Sequence, residues 1–171
     1  MFDLGRSFLT SVERSPNAIA IVDGDVRLTY AEWMSRIGSL AGGLQSLGLR
    51  HGDHLLIVMQ NRWQMATLHW ACQFLGVIAT PLNWRAKADE IEFCARDADA
   101  RAIAYDAASA DSVADSTACS RIPRVAVQTG TAGTATTGNS AIDEEAANHP
   151  TGSDIRTSGL GIIDKIGDDR I

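Results

Sequence analysis

From residue 50 onward, short apolar runs alternate with amphipathic stretches, and this alternation constrains the fold more than any other feature of the sequence. Leu55 to Met59 is a continuous apolar run of strand length, the pattern of a parallel strand buried on both faces. A helical period follows in Met65, Leu68, Ala71, Cys72 and Leu75, with Asn61 placed to cap the helix and Gly76 to end it. Val77 to Thr80 reads as a second strand, ended by Pro81. Ala88 to Asp97 reads as a helix with Ile91, Cys94 and Ala95 inward, and Ala102 to Tyr105 as a third strand. The Ala- and Ser-rich stretch Asp106 to Ser120 predicts a weak helix, and Val125 to Val127 a fourth strand. The order implies an α/β fold: an open, mostly parallel sheet with right-handed crossovers and flanking helices.

The region before residue 50 adds a small N-terminal hairpin. Phe2, Phe8, Leu9 and Val12 predict an amphipathic helix over residues 3–14, broken by Ser15-Pro16-Asn17. Asp23-Gly24-Asp25 between Ala18–Val22 and Val26–Leu28 is a hairpin signal. Thr29 and Glu32 have capping-box spacing, and Trp33, Ile37, Leu40, Leu44 and Leu47 trace one helical face up to Gly48, which can end it in a left-handed cap. His51-Gly52-Asp53 reads as a turn.

Charge and aromatic content divide the chain. Residues 1–105 hold 11 acidic and 10 basic side chains, residues 106–171 hold 10 and 5, and Tyr105 is the last aromatic. A segment with excess like charge and no aromatics has little to bury. The expected organisation is an α/β segment over 1–128 and a low-complexity, disordered tail over 129–171. The net charge of −6 without a Lys/Arg cluster argues against a nucleic-acid partner. Cys72, Cys94 and Cys119 form no CxxC pair and read as structural thiols of a reducing cytosol. The start, Met-Phe-Asp-Leu-Gly-Arg, does not resemble a signal peptide, and no apolar run is long enough to span a membrane. The expected location is cytoplasmic.

Few residues offer chemistry. His51 and His54 flank a turn with no third ligand nearby, so no metal site is assigned. No Gly-x-Ser-x-Gly elbow supports a hydrolase, and no catalytic residue is assigned. The run Gln128 to Gly138 is Gly/Thr-rich like a phosphate loop, but no Lys or convincing helix follows, and low complexity explains it better. The loop Pro81-Leu82-Asn83-Trp84-Arg85 leaves the carboxyl end of a predicted parallel strand, where open α/β sheets bind ligands. There Arg85 is either a phosphate-binding cation beside a stacking Trp84, or the partner of a nearby carboxylate with Trp84 in the core.

Taken together, Leu28-Thr29-Tyr30-Ala31-Glu32-Trp33, Ala41-Gly42-Gly43-Leu44, Leu47-Gly48-Leu49, Gly52-Asp53, Gln60-Asn61-Arg62, Ala71 to Val77, Pro81 to Arg85, Glu90-Ile91-Glu92-Phe93 and Asp97 to Arg101 resemble the N-terminal part of the adenylate-forming, AMP-binding superfamily. Asn83-Trp84-Arg85 after Pro81-Leu82 is most similar to the acyl-CoA synthetase/ligase branch. The resemblance implies an incomplete N-terminal subdomain of an AMP-dependent synthetase/ligase fold, in fatty acid metabolism. It further implies, for full-length members, activation of a carboxylic acid by ATP and Mg to an acyl-AMP and transfer to CoA. For Arg85 it implies a contact with CoA phosphate.

The family's phosphate loop, Thr-Ser-Gly-Thr-Thr-Gly-x-Pro-Lys-Gly, has only a remnant here, Thr157-Ser158-Gly159-Leu160-Gly161 with Lys165 and Gly167. The expectation is a truncated or frameshifted ligase, inactive alone and needing no cofactor of its own. Its expected partner is a complementary ligase segment, or a second copy met through an exposed sheet edge. A small nucleotide-binding α/β domain is the remaining alternative.

Overall fold

The computed structural model describes residues 4–128 and the backbone of residues 163–167. Helix α1 (Leu4–Arg14) leads into a hairpin of β1 (Ile19–Asp23) and β2 (Val26–Thr29), paired antiparallel with Asp23 opposite Val26. That register leaves Gly24-Asp25 as a two-residue loop, and Gly24 supplies the positive φ (56°) such a loop requires. Helix α2 (Tyr30–Ser46) starts on the predicted capping box: the Glu32 amide donates to Thr29 Oγ1 at 3.2 Å, and the Thr29 amide donates to Glu32 Oε2 at 2.8 Å. Gly48, at φ 90°, turns the chain after it.

The main sheet follows as β3 (His54–Val58), α3 (Trp63–Leu75), β4 (Ile78–Leu82), α4 (Ala88–Asp97) and β5 (Ala100–Asp106). A short α5 (Ala110–Ala114), a 3-10 turn (Cys119–Arg121) and β6 (Arg124–Val127) complete it. Strand order is β4-β3-β5-β6, all parallel, with the backbone of β7 (Ile163–Gly167) antiparallel to β6. The rest of the predicted tail lies outside the described residues.

Strand alternation makes two cores from one sheet. Leu55 and Ile57 of β3, with Ala102, Ala104, Val125 and Val127, face the α2–α3 layer through Ile37, Leu40, Leu44, Leu68 and Ala71. Leu56 and Val58, with Ile103, face the other side, where Ile91 and Ala95 of α4, Val113 and Cys119 cover them. On the first side Phe8 anchors α1 through an edge contact with Trp33 (5.3 Å) and a stack on Trp70 (4.4 Å).

Three local expectations are corrected. Pro81 does not end β4, which runs on to Leu82; β4 is an edge strand among the described residues, and an edge tolerates a residue without an amide donor. The weak helix expected over Asp106–Ser120 reduces to α5 and the 3-10 turn, because Ser109 and Ser116 turn their hydroxyls to partners outside a helical ladder. Asn61 does not cap α3. The N-cap position is Arg62, and the carboxylate of Asp23, from β1, accepts the Trp63 amide at 3.0 Å and the Arg62 Nε–H at 2.9 Å.

Candidate functional site

The carboxyl ends of β3 to β6 form the rim where an open parallel sheet places ligands. Its topological switch point lies between β3 and β5, since the chain leaves β3 for β4 on one side and returns to β5 on the other. Asp106, the last residue of β5, fills that crevice and is 1% exposed. Its Oδ2 accepts the Gln60 amide from the loop after β3 at 2.9 Å, and its Oδ1 accepts the Ala108 amide at 3.1 Å. The buried Ser109 hydroxyl lies 3.1 Å from Oδ1 and also within reach of the Val58 carbonyl, which its single proton must share. The protein's own carboxylate thus takes up these amides and welds the ends of β3 and β5 together. The sequence signal for this arrangement is an Asp at a strand end followed three residues later by Ser, an Asx-type turn pattern.

Next to it, Gln64 on α3 is 1% exposed and donates from Nε2 to the Gln128 carbonyl at 2.8 Å, tying α3 to the chain just beyond β6. The Gly/Thr run after Gln128 and the loop remnant Thr157–Gly161 lie outside the described residues; Lys165 and Gly167 are described only as backbone of β7.

The loop after β4 holds Trp84 and Arg85. Asn83 Oδ1 accepts the Arg85 amide at 3.0 Å, an Asx turn that fixes the loop, and the Arg85 guanidinium sits 3.7 Å from the Trp84 ring centroid. Arg85 is exposed, and among the described residues it has no ion-pair partner; Trp84 is half-buried. Among the described residues, the carboxylate partner of the core-and-salt-bridge alternative is not seen. Instead the indole holds the guanidinium by stacking, with its forked donors available to an anion.

Other polar residues have structural partners. Glu92 on α4 accepts the Ala118 amide at 2.6 Å and the Ser116 hydroxyl at 2.9 Å and pairs with Arg96; these contacts hold its carboxyl below the usual range, the Ala118 amide most strongly. His54 lies in β3 rather than in the turn, with Nδ1 2.9 Å from Thr80 Oγ1. The His51 ring lies under Gly76, where a Cβ would meet it at 2.3 Å. Among the described residues, no three of His, Cys, Asp and Glu converge on a common point, and no helix is long and apolar enough to cross a membrane.

An open parallel sheet with flanking helices and a small N-terminal hairpin is the class of architecture found in the N-terminal domains of acyl-CoA ligases, as the comparisons show. The AMP-binding enzyme family model matches residues 8–158, so the chain belongs to that family. It is similar to feruloyl-CoA synthase of Amycolatopsis sp, with 33% identity over 65% of this chain and 22% of that protein. It is also similar to long-chain-fatty-acid–CoA ligase FadD13 of Mycobacterium tuberculosis, with 34% identity over 56% of this chain and 20% of that protein. The crystal structure of the N-terminal domain of FACL13 from Mycobacterium tuberculosis superposes with a TM-score of 0.64 at 30% identity, covering 67% of this chain and 30% of that one. The chain spans roughly a fifth to a quarter of the length of the curated relatives it matches.

Proposed function

We propose that this chain is the N-terminal α/β part of an acyl-CoA-synthetase-type ligase and that its 171 residues do not by themselves form an acyl adenylate. In the parent reaction, a carboxylate oxygen attacks the α-phosphorus of Mg-bound ATP and expels pyrophosphate, and the CoA thiol then displaces AMP. The observation that carries the proposal is the state of the rim. Its buried carboxylate, Asp106, is held by two backbone amides and lies within reach of the Ser109 hydroxyl, so among the described residues it serves as a structural acceptor at the switch point. Among the described residues, the amides around Asp106 are taken up by the protein itself. Residues 157–167, which match the family's phosphate loop only in part, support the same reading.

CoA is a different case. Arg85, held on Trp84 and exposed, fits a phosphate group of the CoA nucleotide, and its role is to bind and orient rather than to react. The cytoplasm, which holds ATP and CoA, is the compartment this reading implies. ATP–pyrophosphate exchange with a panel of aliphatic and aromatic carboxylates tests the proposal: the expected rate equals a no-protein blank, and a rate well above it overturns the claim of inactivity.

A second reading is favoured by β4. Among the described residues β4 is an edge strand carrying Ile78, which is 45% exposed, so a complementary ligase segment or a second copy can add a strand there. Co-expression with a downstream ligase segment should give a complex that co-purifies; failure to co-purify counts against it.

A further inference from the structure

At the end of the sheet opposite Arg85, the amino ends of β3, β5 and β6 border a groove of about 560 Å³. Three arginines distant in sequence line it: Arg50 from the turn before β3, Arg101 near the start of β5, and Arg121 from the 3-10 turn before β6. The strand order brings them together, because β3, β5 and β6 are consecutive neighbours that all begin at this end.

Among the described residues, Asp53 is the one carboxylate lining the groove. Its Oδ2 already accepts the Arg50 amide at 2.7 Å, and its Oδ1 is 3.9 Å from Arg101 Nε, at the outer limit of an ion pair. Arg50 and Arg121 are exposed, and among the described residues neither has an ion-pair partner. The lining thus carries a formal surplus of two positive charges on a chain whose net charge is −6. Leu47, Leu49, Ile122 and Pro123 supply apolar walls, and a concave surface of one charge sign with low-dielectric walls concentrates its field. The C-terminus of α2 also ends at this groove. A helix end is equivalent to about half a charge, too little to neutralise the surplus.

We propose that this groove binds a compact multivalent anion of the phosphate-ester or polyphosphate class. Guanidinium forks match phosphate oxygens two at a time, and three forks around one concavity favour an anion of two or more charges over a single carboxylate. The site is separate from the rim, so it stands or falls independently of the ligase reading.

The test is calorimetric titration of the full chain with inorganic pyrophosphate, without magnesium, at low ionic strength and at about 0.2 M salt. Expected are saturable one-to-one binding that weakens with salt, a loss of about tenfold or more in R50Q/R121Q, and no change in R14Q, a single-charge control outside the groove. Both arginines are exposed in turns, and circular dichroism checks that the variant is folded. D53N, which keeps an oxygen for the Arg50 amide and removes the negative charge, is expected to bind several-fold tighter. Absence of saturable binding overturns the proposal. So does an R50Q/R121Q variant that binds like R14Q, or a loss that appears in R85Q instead.

Discussion

Asp23, the last residue of β1, accepts the backbone amide of Trp63 at the first turn of α3, forty positions along the chain. The same carboxylate takes the Arg62 Nε–H, so one side chain both caps a helix and ties the N-terminal hairpin to the main sheet domain. Asp23→Ala should therefore lower unfolding stability by about 1–2 kcal/mol, the cost of a lost N-cap. Asn61→Ala, at the residue that sequence spacing nominates as the cap, should change it by less than about 0.5 kcal/mol. Urea denaturation of the two variants side by side checks the assignment.

Acid should expose these links. The Arg62 side chain, and after it the Trp63 amide, hold the Asp23 carboxyl below its ordinary value. Hydrogen bonds from Thr29 do the same for Glu32, and the Ala118 amide for Glu92. A carboxyl whose folded pKa is depressed adds stability that is complete above the unfolded value, near 4, and is lost as pH falls through the folded one. The urea midpoint should be flat from about pH 7 to pH 5 and decline below about pH 4. Asp23→Asn should reduce the steepness of that decline, and an unchanged slope would remove Asp23 from the account.

Thr67 is the polar pin of the α2–α3 interface. Its buried hydroxyl donates to the Trp63 carbonyl at 2.8 Å and accepts the Trp33 indole N–H at 3.0 Å. Thr67→Val keeps the shape and leaves the indole N–H buried without a partner, a cost of about 1–3 kcal/mol. Pairing it with Trp33→Phe, which removes the orphaned donor, should give a double variant less destabilised than the sum of the singles.

The thiols should separate by burial. Cys72 is fully buried, and desolvation pushes its pKa up to about 12; burial also raises that of Cys119. Cys94 is half-buried on α4. In the native protein a maleimide or aromatic disulfide reagent should modify Cys94 alone, with Cys72 and Cys119 reacting only after denaturation. Mass spectrometry of labelled peptides reads the order, and early labelling of Cys72 would contradict the packing of α3 on the sheet.

The sequence by itself determined the elements and their class. Apolar period and turn chemistry are local properties, so Thr29–Glu32, Gly24, Gly48 and Gly76 marked real boundaries, and the run Leu55–Met59 announced a strand with two buried faces. The family resemblance was likewise legible, because it rests on short motifs in a fixed order. What only the tertiary structure decided are the meetings between distant residues. Asp23 rather than Asn61 caps α3, Asp106 closes the switch point, and Arg50, Arg101 and Arg121 share one groove. The fate of Arg85 also belongs here, since whether a carboxylate reaches it depends on neighbouring elements, and it is Trp84 that holds it. Hydrogen bonds and charges act over a few ångströms in space and do not depend on separation along the chain. Strand order, which one-dimensional periodicity does not encode, chose which of these side chains came within reach.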